Sequence, residues 1–188
     1  PPGASVGSAS PRRTAQLLRV RPDLDVRMIR GNVETRLNKV VQQGQFDATL
    51  LAMAGLARLG LDDYAHSPLN MDLMLPAAGQ GALAVQCRAN DHDTIRQCLP
   101  LNDATSAAVV HGERQVVAAL RGDCHSPIAV LLEPIGEQIR LRTRVLSSDG
   151  RQCIDDDQRA PLEQLHQLVS RGVEALVAAG ADQLLHGS

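Results

Sequence analysis

The sequence predicts α/β plus α+β architecture: a layer of largely parallel strands and helices, then a small α+β domain with a three-stranded antiparallel sheet and helices. Three observations predict it. Short apolar runs alternate with helical periodicity over residues 1–75. From Pro127 onward the pattern changes to strand-length segments separated by the turns Pro134-Ile135-Gly136 and Ser147-Ser148-Asp149-Gly150. A helical stretch then closes the chain over residues 161–185.

The elements follow in order. Ser10 is an N-cap residue and Pro11 suits the first helical position, so a helix starts there and runs to about Val20, before Pro22. Residues 25–30 alternate and read as a strand, Gly31-Asn32 as a turn, and residues 33–43 as a helix. Residues 46–52 form a short apolar run suited to a buried strand, and residues 54–61 a further helix. Residues 69–75 and 82–87 read as strands, the second led in by Gly79-Gln80-Gly81. Helices are expected over 91–99 and 104–120, then strands over 128–133, 138–146 and 152–154. Asp155-Asp156-Asp157 reads as a solvated loop, and the final helix as bent or interrupted near Gly172 and Gly180.

Composition narrows the function. Hydrophobic residues make up 44% of the 188 and charged residues 21%, ordinary for a globular chain. Phe46 and Tyr64 stand alone as aromatics, with no Trp, so the core must be aliphatic. Base stacking needs aromatic platforms, which argues against a single-strand nucleic-acid binder. A net charge of -2 hides an asymmetry. Residues 1–58 carry nine Lys/Arg against four Asp/Glu, and the remainder ten against seventeen. A basic first third suits an anionic ligand, and equally a solvated basic face.

The four cysteines form no CxxC pair and no His lies at zinc-finger spacing, so no metal is expected. They suggest a reduced, cytoplasmic setting rather than a disulfide framework. No apolar run reaches membrane-spanning length and no signal peptide is visible, so no membrane partner is expected. The opening Pro1-Pro2-Gly3 reads as the start of a fragment or processed chain.

Three constellations could carry chemistry. Arg12 and Arg13 fall in the first turn of a helix, where a cation is unfavourable, so the pair calls for a reason. Arg30 follows a strand, Arg36 lies one turn into the next helix, and Arg58 sits in the third. Ligands of α/β sheets gather at strand carboxyl ends, so these positions are expected to converge on one crevice. The arginine fork suits carboxylate and phosphate; ordinary surface ion pairs are the alternative. Cys124, beside His125 in a turn-rich loop, could be an activated thiolate or merely a small hydrophobe. Cys87, Cys98 and Cys153 lie in predicted elements and read as structural. Gly79-Gln80-Gly81 is a plain turn or a close approach of backbone to ligand.

Several segments, in order, resemble the porphobilinogen deaminase family. Residues 6–13 (VGSASPRR) resemble its VGTSSxRR segment, and 29–37 (IRGNVETRL) its RGNxxTRL segment. Residues 51–60 (LAMAGLARLG) match A-x-AGLxRLG, and 75–82 (LPAAGQGA) match LPAxGQGA. Glu113-Arg114, then Leu120, Gly122, Cys124 and Pro127-Ile128, track the pattern around the family's cofactor cysteine. Asp123 replaces the usual glycine, Ser126 a β-branched apolar residue, and Ala9 and Pro11 depart within the arginine loop.

The resemblance implies a transferase of tetrapyrrole (haem-type porphyrin) biosynthesis. It would polymerise four porphobilinogen molecules into hydroxymethylbilane, with loss of ammonia, on a dipyrromethane primer held by Cys124 through a thioether. It implies that Ser10, Arg12, Arg13, Arg30 and Arg36 bind that cofactor, and that Arg58 and Gln80 bind substrate. It implies a periplasmic-binding-protein-like α/β lobe over residues 1–75 as the second domain. Residues 76–102 would be a crossover segment completing a first domain absent from this chain, and residues 103–188 the third, cofactor-cysteine domain. The family's catalytic aspartate belongs to that first domain, so the chain by itself is expected to be inactive, and the full-length enzyme monomeric. The other readings are a non-catalytic anion-binding lobe, which leaves Cys124 without a task, and a nucleic-acid binder, against which the pI of about 6.3 counts.

Overall fold

The computed structural model describes residues 1–64 and 67–187. Three strands, β1 (Ser5–Gly7), β2 (Asp25–Arg27) and β3 (Ala48–Thr49), form a parallel sheet in the order β2-β1-β3. Between them lie α1 (Pro11–Val20) and α2 (Val33–Val41), and α3 (Met53–Arg58) follows β3. Parallel neighbours need a crossover helix, which α1 and α2 supply. The start of α1 is where its caps put it: Ser10 accepts a hydrogen bond from the Arg13 N–H and Pro11 opens the helix. Asn32 caps α2 in the same way, through the Thr35 N–H at 2.8 Å.

The central strand, β1, falls on a segment whose pattern gives no strand, because three residues between glycines are too few to show a period. The flanking strands are shorter than expected. Residues 28–30 leave the sheet after Arg27, and of 46–52 only Ala48 and Thr49 pair. Residues 69–75 are not a strand: Asn70 accepts from the Leu73 N–H at 2.9 Å and the chain turns there. Residues 82–87 are not a strand either. Among the described residues no strand pairs with them, and Leu83 and Val85 are 84% and 64% exposed.

The second half is built as its pattern implies, with one correction. After α4 (His92–Cys98) and α5 (Ala104–Ala119), strands β4 (Ile128–Ile135), β5 (Gln138–Leu146) and β6 (Cys153–Pro161) form an antiparallel meander. Helices α6 (Leu165–Ala178) and α7 (Ala181–His186) close it, broken at Gly180 while Gly172 stays within α6. The correction is Asp155-Asp156-Asp157, which lies within β6 rather than in a loop. Arg142 pairs in register with Asp157 and Arg144 with Asp155, and opposite charges across a ladder support it. Three successive acidic residues mask a strand when the neighbouring arginines are out of view.

The core belongs to this half. Ile139, Leu141 and Val145 of β5 are fully buried against Val116, Leu120, Leu168 and Leu176 of the helices, an aliphatic core as composition requires. The opposite face of β5 carries Arg140, Arg142 and Arg144. That charged face meets the first half: Arg142 pairs with Asp72 at 3.0 Å, Arg144 donates to the Asp72 carbonyl at 3.0 Å, and Arg19 of α1 reaches Asp155 at 3.4 Å. A cleft of about 210 Å³ opens there, lined by Met71, Asp72, Leu75 and the charged face.

Candidate functional site

The three parallel strands deliver their carboxyl ends to one edge, and each is followed by a segment of the arginine set. Ser10, Arg12 and Arg13 follow β1, Arg30 and Arg36 follow β2, and Arg58 follows β3. Contacts tie this edge together. The Ser8 N–H donates to the Arg27 carbonyl at 2.9 Å, and Thr49 Oγ1 donates to the Gly7 carbonyl at 2.9 Å. Arg13 reaches from α1 to the Leu50 carbonyl beyond β3 at 3.1 Å. Burial, and then the repulsion of Arg36, lower the Arg13 pKa, which places the α1 and α2 arginines within reach of each other's charge. Arg36 itself donates from Nε to the Gly31 carbonyl at 2.8 Å. Arg30 and Arg58 are exposed, Arg58 at the C-terminal turn of α3, away from the start of that helix.

Arg12 is the buried member, 6% exposed. Its guanidinium donates to the Leu75 carbonyl and, at 3.1 Å, to Gln80 Oε1. Its Nε has no partner among the described residues. Burial, with Arg13 adding, lowers its pKa to about 10, so it stays cationic at neutral pH. Gln80 in turn accepts from the Ala77 N–H at 3.2 Å. The structure therefore brings Arg12 and Gln80 together, in a contact between two residues expected to meet different ligand groups.

The segment over 75–81 is held by two further residues to which the sequence pattern gives no role. Gln16 is fully buried and pairs with Leu75 twice, donating to its carbonyl at 3.0 Å and accepting from its N–H at 2.9 Å. Glu113 of α5 accepts from the Gly79 N–H at 2.6 Å and the Leu132 N–H at 2.9 Å. Burial pushes its carboxyl above the usual range, against the pull of those two N–H groups. A Glu between Gly112 and Val116, on the helix face that packs, is a signal the sequence does carry. Gln16, one turn after Arg12, carries none.

Cys124 is exposed on the turn between α5 and β4. Asp123 organises that turn: its carboxylate accepts from the His125 N–H at 2.8 Å and from Ser126 Oγ at 3.0 Å. The two departures from the family pattern, Asp123 and Ser126, thus bond to each other across the cysteine. Of the other cysteines, Cys153 is half-buried, and burial, with Asp155 adding, pushes its thiol up to about 11, so it is a poor nucleophile at neutral pH. Cys98 ends α4 half-buried. Cys87 is exposed in the unpaired segment, not in a strand. Among the described residues no hydrogen bond or ion pair joins Cys124 to the arginine edge.

Electrostatics separate the arginine edge from the rest of the surface. Most arginines elsewhere end in carboxylates, among them Arg19, Arg21, Arg140, Arg142 and Arg144, while Arg114, Arg159 and Arg171 have no such partner among the described residues. Among the described residues, no carboxylate lies at ion-pair distance from Arg12, Arg13, Arg30, Arg36 or Arg58. The cleft at the β5–β6 face is the reverse case, its cations already matched.

A family model described as porphobilinogen deaminase, dipyromethane cofactor binding domain, matches residues 1–96. The chain belongs to that family. Porphobilinogen deaminases of Legionella pneumophila are similar over nearly all of it. That of strain Lens is 42% identical over 186 residues, covering 98% of this chain and 60% of the relative; that of strain Paris is 41% identical over the same shares. The chain therefore spans about 60% of the length of the curated relatives it matches. The family match contains the whole arginine edge and Gln80, and Cys124 lies beyond it.

Proposed function

We propose that these residues form the cofactor-holding and chain-positioning part of a hydroxymethylbilane synthase, which joins four porphobilinogen molecules with loss of ammonia. One observation carries it: an edge of arginines with no carboxylate at ion-pair distance among the described residues, in a protein where most other arginines have one. Each pyrrole of such a chain bears an acetate and a propionate, so the growing product is a polyanion. Unmatched, preorganised guanidinium groups are what its carboxylates need.

The residues fit a dipyrromethane. Cys124 is an accessible thiol on an ordered turn, suited to a thioether, and Arg12 keeps a buried Nε without a partner among the described residues. Ser10, Arg12, Arg13, Arg30 and Arg36 would meet the cofactor's side chains, and Arg58 and Gln80 those of incoming substrate. When bound, the cofactor supplies the terminal pyrrole carbon to which a new unit is joined. The chain's own groups neutralise carboxylates and hold the pyrrole units in register, converting an encounter into an oriented one.

Residues 1–75 form a periplasmic-binding-protein-like lobe, 76–102 a crossover that completes a further domain, and 103–188 the cysteine domain. The whole enzyme works as a monomer in the cytoplasm, on small molecules and without nucleic acid. Among the described residues no helix is long and apolar enough to cross a membrane. The reading as a mere anion-binding lobe accounts for the arginines and leaves Cys124 idle.

The test is an intact mass under denaturing conditions, on the full-length natural protein containing these residues. The expected result is a covalent adduct of dipyrromethane mass on the Cys124 peptide, lost in Cys124→Ser together with turnover. An active full-length protein without the adduct refutes the assignment. The 188 residues alone are expected to form no hydroxymethylbilane.

A further inference from the structure

Arg12 differs from the rest of the arginine edge in being buried and held by two acceptors far along the chain before any ligand arrives. Its anchors are the Leu75 carbonyl and Gln80 Oε1, both on an irregular segment outside any ladder or helix. Strand β4 and helix α5 bond to that segment only beyond Leu75, at the Pro76 carbonyl and the Gly79 N–H. An arginine is only as well placed as its acceptors. Leu75 is placed by Gln16, whose amide pairs with both backbone groups of that one residue. A planar amide can donate from one end and accept at the other, which lets one side chain pair with both backbone groups of a residue. Gln16 lies one helical turn beyond Arg12 on α1, so the two side chains leave the same face. It is fully buried, and its Oε1 also accepts from Arg144 of β5 at 3.2 Å. Arg144 is itself fixed by Asp155 and by the Asp72 carbonyl at 3.0 Å. One amide thus joins α1, the 72–75 segment and the sheet of the cysteine-bearing half.

We infer that Gln16 is the positioning residue for Arg12: it clamps Leu75 so that the guanidinium is set, and it ties that setting to β5 through Arg144. For turnover this rests on the proposed function; for the geometry it does not. Gln16 touches no ligand in this arrangement and acts through the Leu75 carbonyl.

The experiment uses the full-length natural protein in three forms: wild type, Gln16→Met, which keeps the shape without the hydrogen bonds, and Gln16→Glu. The glutamate keeps acceptors for the Leu75 N–H and Arg144 but loses the donor to the Leu75 carbonyl. Solvent exchange of the Arg12 guanidinium protons is read by 15N NMR, which needs no activity. Each variant is expected to speed it about tenfold, the scale of one hydrogen bond involving a charged group. Unchanged exchange in a folded variant overturns the inference; where Gln16→Met does not fold, Gln16→Glu decides.

The second reading is porphobilinogen turnover, with Gln16→Met made both in wild type and in Arg12→Lys. Action through Arg12 predicts a loss of kcat/KM of about tenfold in the first background and less than about twofold in the second. Equal losses in both overturn the inference. A wild type without turnover strikes down the proposed function instead and leaves the NMR reading to decide on Gln16.

Discussion

At the scale of single residues, the informative groups are the buried polar ones, because each needs a reason to leave water. Glu113 has two, the Gly79 and Leu132 N–H groups, yet burial still holds its pKa above the ordinary carboxylate value. The consequence for stability has a definite sign. A carboxyl whose folded pKa is raised binds its proton more tightly when folded. It therefore helps folding below the unfolded pKa, and that help is lost as pH rises through the folded value. Protonated Glu and Gln are similar in shape and in hydrogen-bonding capacity. Urea unfolding of wild type and Glu113→Gln should thus show the wild type gaining on the variant as pH falls from neutral into the carboxylate range. A gap that widens in the variant's favour on acidification would mean that the two N–H groups outweigh burial. The same accounting explains what the sequence concealed about the site. Arg12 and Arg13 stand out in the sequence as cations in a helix's first turn, and Arg30 and Arg36 as cations after a strand, which is where an anion is expected. Gln16 does not stand out, and Glu113 shows only as a charge on a packing helix face, because what makes them matter is which backbone groups they meet from distant parts of the chain.

At the scale of elements, legibility follows length and local chemistry. The helices α1, α2 and α5 begin at Ser10, Asn32 and Asp103, whose side chains accept from the N–H three residues on. A cap is a local signal, and the sequence shows it. Strand β1 is central to its sheet but three residues long, too short for alternation to register. Strand β6 is long but hidden by its aspartates, which become strand residues only opposite Arg142 and Arg144. The β5–β6 turn adds a contact invisible to any local rule. Gly150 has φ +73, and a Cβ there would collide with the Ala15 carbonyl and lie 2.7 Å from the Arg19 N, both backbone atoms of α1. Gly136, in the β4–β5 turn, has φ +61 with nothing within 4 Å. Gly136→Ala should therefore cost only the left-handed strain, about 1–2 kcal/mol. Gly150→Ala should cost that plus a clash of about 1–3 kcal/mol, because backbone cannot step aside as a side chain can. Denaturant midpoints for the two variants check the difference. Equal losses would show that α1 and the turn do not touch in solution.

At the scale of the whole molecule, the two halves are bound through polar groups while the apolar surface lies elsewhere. The junction rests on Gln16, Arg142, Arg144 and Asp72, and the main aliphatic cluster lies in the second half, with smaller buried groups such as Val6, Ala15, Ile29 and Leu56 in the first. Leu83 and Val85, two residues apart and so on one side of an extended segment, stand open to solvent. Ala82, Ala84 and Gln86 occupy the other side, and no strand among the described residues takes up the backbone groups between them. An open edge with apolar side chains is a template for pairing. In the proposed enzyme this segment completes the sheet of a further domain. Taken by itself, the 188-residue chain should then self-associate in a concentration-dependent way, and Leu83→Glu with Val85→Glu should restore the monomer, as read by sedimentation velocity. In the full-length protein the same pair should be destabilising, since it would place two carboxylates inside a sheet, with a loss of about 2 kcal/mol or more. The opposite signs make the test discriminating. A chain that stays monomeric at high concentration, or a full-length protein indifferent to both glutamates, would mean that residues 82–87 are surface in either setting and that the crossover assignment fails.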